Sequence, residues 1–164
     1  MADLLDILLE QENMLVFAKF DSQTAWRIGS YLVETSRKRG LGIVVDINRC
    51  GQQLFHWAAD GTTVDNDRWV ERKARTVARF GHSSYYMGRR LAAQGVTAAA
   101  KYFVSEAEYC FHGGAFPIIL AGTGVVGSVV VSGLKQEEDH DLVVQALCAA
   151  LRKADGSVPR SSTL

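Results

Sequence analysis

The stretch His112–Leu151, HGGAFPIILAGTGVVGSVVVSGLKQEEDHDLVVQALCAAL, decides the fold. It opens on Gly113-Gly114, a turn that other residues resist, and Pro117 marks the beginning or the edge of an extended segment. A glycine-broken turn leads into GVVGSVVVS, where Val125, Val126, Val129, Val130 and Val131 form an apolar run. Such a run reads as a central strand covered on both faces. Ser132-Gly133 ends it. Glu137, Glu138 and Asp139 then fall in the first turn of a helix, where the positive end of the macrodipole accounts for acids without any catalysis. Leu142, Val143, Ala146, Leu147 and Leu151 supply that helix's buried stripe. The block is a strand hairpin packed on a helix.

The rest of the chain supplies elements to match. Leu4, Leu5, Leu8 and Leu9 predict a short N-terminal helix, and MLVFAKF (14–20) predicts a strand. Asp21 or Ser22 caps a second helix with Ala25, Ile28, Gly29, Leu32 and Val33 inside, closed by Arg37–Arg39 and a left-handed Gly40. Leu41–Asn48 and QQLFHWAA (52–59) alternate around the turn Asn48–Gly51, the pattern of an antiparallel hairpin, with Asp46 and Arg49 near its tip as turn chemistry and a surface ion pair or in a ligand role. A third helix starts at TTVDND, with Asp65, Asp67 and Glu71 near its positive end. Along it Arg68, Arg72, Arg75 and Arg79 share one face beside Val70, Ala74 and Val77. That arginine row is a solvated face, a fork-shaped donor surface for an anion, or a subunit contact. Phe80–Ser84 breaks the helix and starts another, placing His82 where backbone N–H groups bind anions and Ser83 or Ser84 caps. Residues 97–114 read as a helical connection with Ser105 as a cap.

Composition limits the function. A chain of 164 residues suits one domain, here residues 1–154, and buries roughly 70% of the surface its unfolded form exposes. From Asp155 to Leu164 periodicity gives way to Gly, Pro and Ser, the composition of a disordered tail. With 18 basic and 18 acidic side chains, no global field attracts nucleic acid or an anionic membrane. No apolar run reaches the roughly 20 residues of a membrane span, and the N-terminus has no signal-peptide pattern. Cys50, Cys110 and Cys148 are widely spaced, which points to a reduced, cytoplasmic setting without a disulfide framework.

The chemistry is less legible than the geometry. His112 and His140 with Glu137 or Asp139 are the obvious metal set, yet no HExxH or Cys/His ligand spacing occurs, so no metal is assigned. GTGVVG (122–127) lacks the Lys-Ser/Thr pair of a phosphate loop, and there is no GxSxG elbow. Catalytic residues are therefore not identifiable. What remains is a loop histidine before a Gly-Gly turn with arginines nearby, parts that suit a small anionic or planar ligand such as haem, or a contact between subunits.

DSQTAWRIGSYLVE (21–34), VVDINRCGQQLFHWAADGTTVDND (44–67), WVERKARTVARFGHSS (69–84), HGGAFPI (112–118) and GVVGSVVVSGLKQEEDH (124–140) together resemble the uncharacterised protein family that carries the haem-degrading domain label, related to HbpS and GlcG. The resemblance implies an α/β fold of layered, profilin-like type, with a five-stranded antiparallel sheet flanked by helices and assembly into dimers or larger homo-oligomers. It implies an oligomeric interaction module, or alternatively a small-ligand or haem-binding protein with weak haem-degrading activity. The positions it singles out are His112, Gly113, Gly114 and Pro117, then Ser132 and Gly133, then Glu138 and Asp139. With His82 and Arg79, and leaving out Pro117, these are the ligand-binding candidates. Val64 stands where the family pattern implies Pro, and Cys50 where it implies Asn, so the hairpin tip is expected to be less rigid.

Overall fold

A computed structural model describes residues 3–161. The elements in chain order are α1 (Leu4–Met14), β1 (Val16–Phe17), α2 (Ser22–Arg39), β2 (Val44–Arg49), β3 (Gln52–Ala58), α3 (Val64–Phe80), α4 (Ser84–Gln94), α5 (Ala98–Tyr102), β4 (Ala115–Leu120), β5 (Gly124–Ser132) and α6 (Gln136–Ala150). The strands form one five-stranded sheet in the order β1-β4-β5-β2-β3, so β5 is central. Its alternation explains the valine run. Val129 and Val131 face a core shared with α2 and α6, while Val130 faces the opposite layer with Val44, Ala115, Val70 and Val77.

The sheet is mixed, and this corrects the antiparallel expectation: β1 runs parallel to β4, pairing Val16 with Ile119 and Phe17 with Leu120. The expected strand over 14–20 shrinks to two residues because α1 continues to Met14 and Asp21 already caps α2, accepting from the Thr24 N–H at 2.8 Å. The profilin-like description is narrowed accordingly to a mixed α/β fold with helices on both faces. Beside Pro117 the outer edge of β4 has no strand partner among the described residues, since β1 reaches only Ile119 and Leu120. A missing N–H is tolerated there.

The β2–β3 hairpin forms as expected, with Arg49 opposite Gln52 and a two-residue turn at Cys50 (φ 51°) and Gly51 (φ 81°). Both central residues are left-handed, the geometry for which Asn-Gly is the favoured pair. Cys50 therefore occupies a position that suits Asn. The expected Asp46–Arg49 pair is absent: Arg49 donates to the Phe20 carbonyl, and Asp46 accepts from Gln53 and His56.

In the segment after Asp155, expected as a tail, three residues make contacts with the body of the fold. Val158 is buried in the main core, Gln11 Nε2 donates to the Pro159 carbonyl at 2.8 Å, and Ser161 Oγ donates to Asp141. A few well-placed contacts hold a segment that has no periodicity of its own. Residues 162–164 of the expected tail lie outside the described residues. The expected helical connection over 97–114 is helical only at Ala98–Tyr102, after which the chain is irregular.

Candidate functional site

The candidate residues divide between two ends of α3. His112, Gly113, Gly114, Ser132, Gly133 and Asp139 gather near its N-terminal half, where β5 ends and α6 begins. His82 follows the other end, and at about 1.5 Å per residue α3 separates Phe80 from Trp69 by roughly 16 Å. Sequence neighbours do not become site neighbours here.

At the far end, the carboxylate of Glu12 on α1 fills the N-terminus of α4. One oxygen accepts from the Ser83 N–H at 2.8 Å and the other lies 2.7 Å from His82 Nδ1. Burial pushes the Glu12 carboxyl above its usual range, and the bonds to Ser83 and His82 act against that shift. Ser83 caps α4 by accepting from the Tyr86 N–H. The anion site read from the sequence is thus occupied by the protein's own side chain.

Arg68, Arg75 and Arg79 are exposed and Arg72 is half-buried, and three of the four also reach backbone carbonyls of residues 102–108. Arg72 donates to the Glu106 carbonyl, Arg75 to the Glu108 carbonyl at 2.6 Å, and Arg79 to the Tyr102 carbonyl. Arg68 pairs with Glu71. Irregular chain leaves carbonyls without ladder partners, and a row of guanidinium forks satisfies them. The row straps residues 102–109 onto α3.

At the near end lies a cleft of about 220 Å³ lined by Asn66, Trp69, Lys73, His112, Ser132, Gly133, Leu134, Gln136 and Asp139. Its floor is an ion pair that the sequence reading missed. Lys73 Nζ lies 3.0 Å from Asp139 Oδ2 and donates to the Val131 carbonyl at 3.1 Å, with the two side chains only 4% and 2% exposed. The signal was available: Lys73 falls three residues after Val70 and four before Val77, on the buried stripe of α3. Asp139 also accepts from the Gly133 N–H and from the Leu134 N–H at 3.0 Å. Burial pushes its carboxyl upward, opposed by the Lys73 ammonium and these two backbone donors.

The Gly-Gly turn is needed for this packing. Gly114 has φ 136°, and a Cβ there would collide with the Val131 carbonyl and crowd Lys73 Nζ, while one at Gly113 would collide with the Gln136 carbonyl. The turn thereby brings His112 against the cleft. Its ring stacks on Trp69 with centroids 5.6 Å apart and an interplanar angle of 25°, forming an aromatic wall. Arg72 sits over the same indole at 4.3 Å. Glu138 is exposed instead, its carboxylate accepting from the Lys135 N–H to cap α6. His140 points away from the cleft, buried between Tyr85 and Phe116 with Nε2 2.8 Å from Gln11 Oε1.

A second cluster lies beside this site. His56 on β3 has Nδ1 2.9 Å from Asp46 and Nε2 3.2 Å from Asp67, so it spans the hairpin and the first turn of α3. It ties down the helix end that carries Asn66 and Trp69.

Residues 20–148 match the family described as haem degrading protein HbpS-like. The chain is 48% identical over 147 residues to a UPF0303 protein of Paraburkholderia phytofirmans, covering 90% of this chain and 89% of that one. It is 51% identical over 138 residues to a UPF0303 protein of Streptomyces coelicolor, covering 84% and 87%. Among solved structures, the crystal structure of Ybr137w protein superposes with a TM-score of 0.83 at 35% identity, covering 92% of this chain and 90% of that one. The crystal structure of the PduOC:Heme complex shares the fold, with a TM-score of 0.66 at 17% identity, covering 80% and 94%. The chain belongs to the HbpS-like haem-degrading protein family and, within it, to the UPF0303 proteins.

Proposed function

We propose that this protein binds a small ligand in the cleft between the starts of α3 and α6. One observation carries the reading: the ammonium of Lys73, buried against Asp139, lines an open cleft walled by Trp69 and His112. A buried ion pair adds little net stability compared with apolar residues of similar volume. Its position at the floor of an accessible cleft gives it a use that stability does not. The cleft is smaller than the roughly 300–1,000 Å³ that encloses a drug-sized molecule, so the ligand is small or projects into solvent.

Within one chain, the residues do not fit haem. His82 is engaged by Glu12 at the opposite end of α3, and Arg72, Arg75 and Arg79 donate to carbonyls of residues 102–108 rather than standing free for propionates. Haemin titration is therefore expected to give no saturable Soret shift. A saturable shift abolished by His112→Ala would replace the small-ligand reading with the haem one, which the PduOC:Heme relative keeps in view.

Self-association is a second reading, favoured by the outer edge of β3. Among the described residues that strand pairs only with β2, and beside it Trp26 is 62% exposed against Phe55. An unpaired edge flanked by an exposed aromatic is a template for a second chain. Light scattering is expected to show a defined oligomer that Trp26→Glu weakens. A monomer at all concentrations would remove this reading.

A further inference from the structure

We infer that the ligand of this cleft presents a planar oxygen-acceptor edge, a carboxylate or carboxamide, to Lys73 and Ser132, with its flat body against Trp69 and His112. The inference rests on the ligand-site reading above and is carried by the hydrogen-bond balance of the lining. An ammonium has three N–H donors. Lys73 directs two of them to Asp139 and to the Val131 carbonyl, which leaves one donor on a buried side chain that lines the cleft. Ser132 is buried, lies two residues from Val130 and hence on the α3 side of β5, and its hydroxyl makes no hydrogen bond among the described residues.

The two carboxamides contribute donors as well. Asn66 Oδ1 accepts from the Thr63 N–H, and Gln136 Oε1 accepts from the Gly113 N–H. A backbone N–H requires an oxygen, so both amides are oriented with their NH₂ groups left over. The Asp139 carboxylate, in contrast, is largely committed to the protein's own donors. Asp139 Oδ2 takes Lys73 and Gly133, and Oδ1 takes Leu134. A ligand edge that only donates can reach the Ser132 oxygen but leaves the third N–H of the buried Lys73 ammonium unpaired, whereas an edge that accepts satisfies that charged donor together with the Ser132 hydroxyl and the two amides. The aromatic wall adds a preference for a flat body.

Three probes with the same ring and different edges test this on the wild-type protein: benzoate, benzamide and benzamidine, followed by NMR at the Trp69 indole N–H. Benzoate and benzamide are expected to shift that signal saturably, and benzamidine, which only donates, to bind roughly tenfold more weakly or worse. Ser132→Ala is expected to weaken benzoate and benzamide severalfold, and it keeps the buried ion pair intact. Benzamidine binding at Trp69 as tightly as benzoate would overturn the acceptor-edge assignment and leave the ligand site standing. No response to any of the three at millimolar concentration would overturn both.

Discussion

Replacing Lys73 with Met is expected to lower the unfolding free energy by about 3–5 kcal/mol, the usual effect of leaving a buried charge without its partner. Asp139 would keep its bonds from Gly133 and Leu134 but lose the ammonium that opposes its desolvation. The carboxyl, already raised by burial, would then take a proton more readily in the folded state. A group whose folded pKa is raised adds relative stability as pH falls, so the deficit of Lys73→Met against wild type is expected to narrow from pH 7.5 to 5.5. Combining Lys73→Met with Asp139→Asn removes both charges and keeps an oxygen for the backbone donors. The double variant is expected to recover half or more of the loss. Denaturant unfolding of the four proteins at two pH values measures the coupling. Additive effects with no change across pH would show that the pair does not act as a buried ion pair.

Acidification from pH 6.5 to 4.5 is expected to cost the fold about 2–3 kcal/mol through His140 alone. Burial pushes its imidazole down from 6.5 to about 3. Its Nε2 faces the Gln11 Oε1 carbonyl and must donate, while Nδ1 has no partner among the described residues, so the folded ring is neutral. In the unfolded chain the same ring takes a proton below about 6.5. The unfolded state therefore binds more protons in this window, and stability is present above 6.5 and lost as pH falls toward 3. Glu12 and Asp139, both raised by burial, contribute with the opposite sign. Comparing wild type with His140→Phe cancels them, because both proteins retain these carboxyls. The variant loses the bond to Gln11, yet its stability is expected to fall less steeply between pH 6.5 and 4.5. Equal slopes would mean that His140 carries a proton in the folded protein.

Much of the frame was legible from local chemistry. Asp21 and Gly40 bound α2, the alternation around Cys50-Gly51 produces the β2–β3 hairpin, and the valines of β5 mark the centre of the sheet. The Gly-Gly turn was legible too, although its reason is tertiary: Gly113 and Gly114 pass close to the backbone of Gln136 and Val131. Each of these features depends on neighbours within a few residues or on strict periodicity. The parallel course of β1, the docking of Val158 and the capture of His82 by Glu12 depend on which elements meet.

The same division runs through the site. Sequence singled out His112, Ser132, Gly133 and Asp139, and the cleft draws on all of them together with Trp69 and Lys73. It also singled out His82, Arg79 and Glu138, which the fold assigns to Glu12, to the Tyr102 carbonyl and to the cap of α6. Lys73 was passed over because a lysine interrupts an apolar stripe and its compensating charge lies 66 residues away. Periodicity reports which side of a helix turns inward. The partner that side meets is chosen by topology, and an ion can remain buried only where that partner and its backbone donors have already been brought into place.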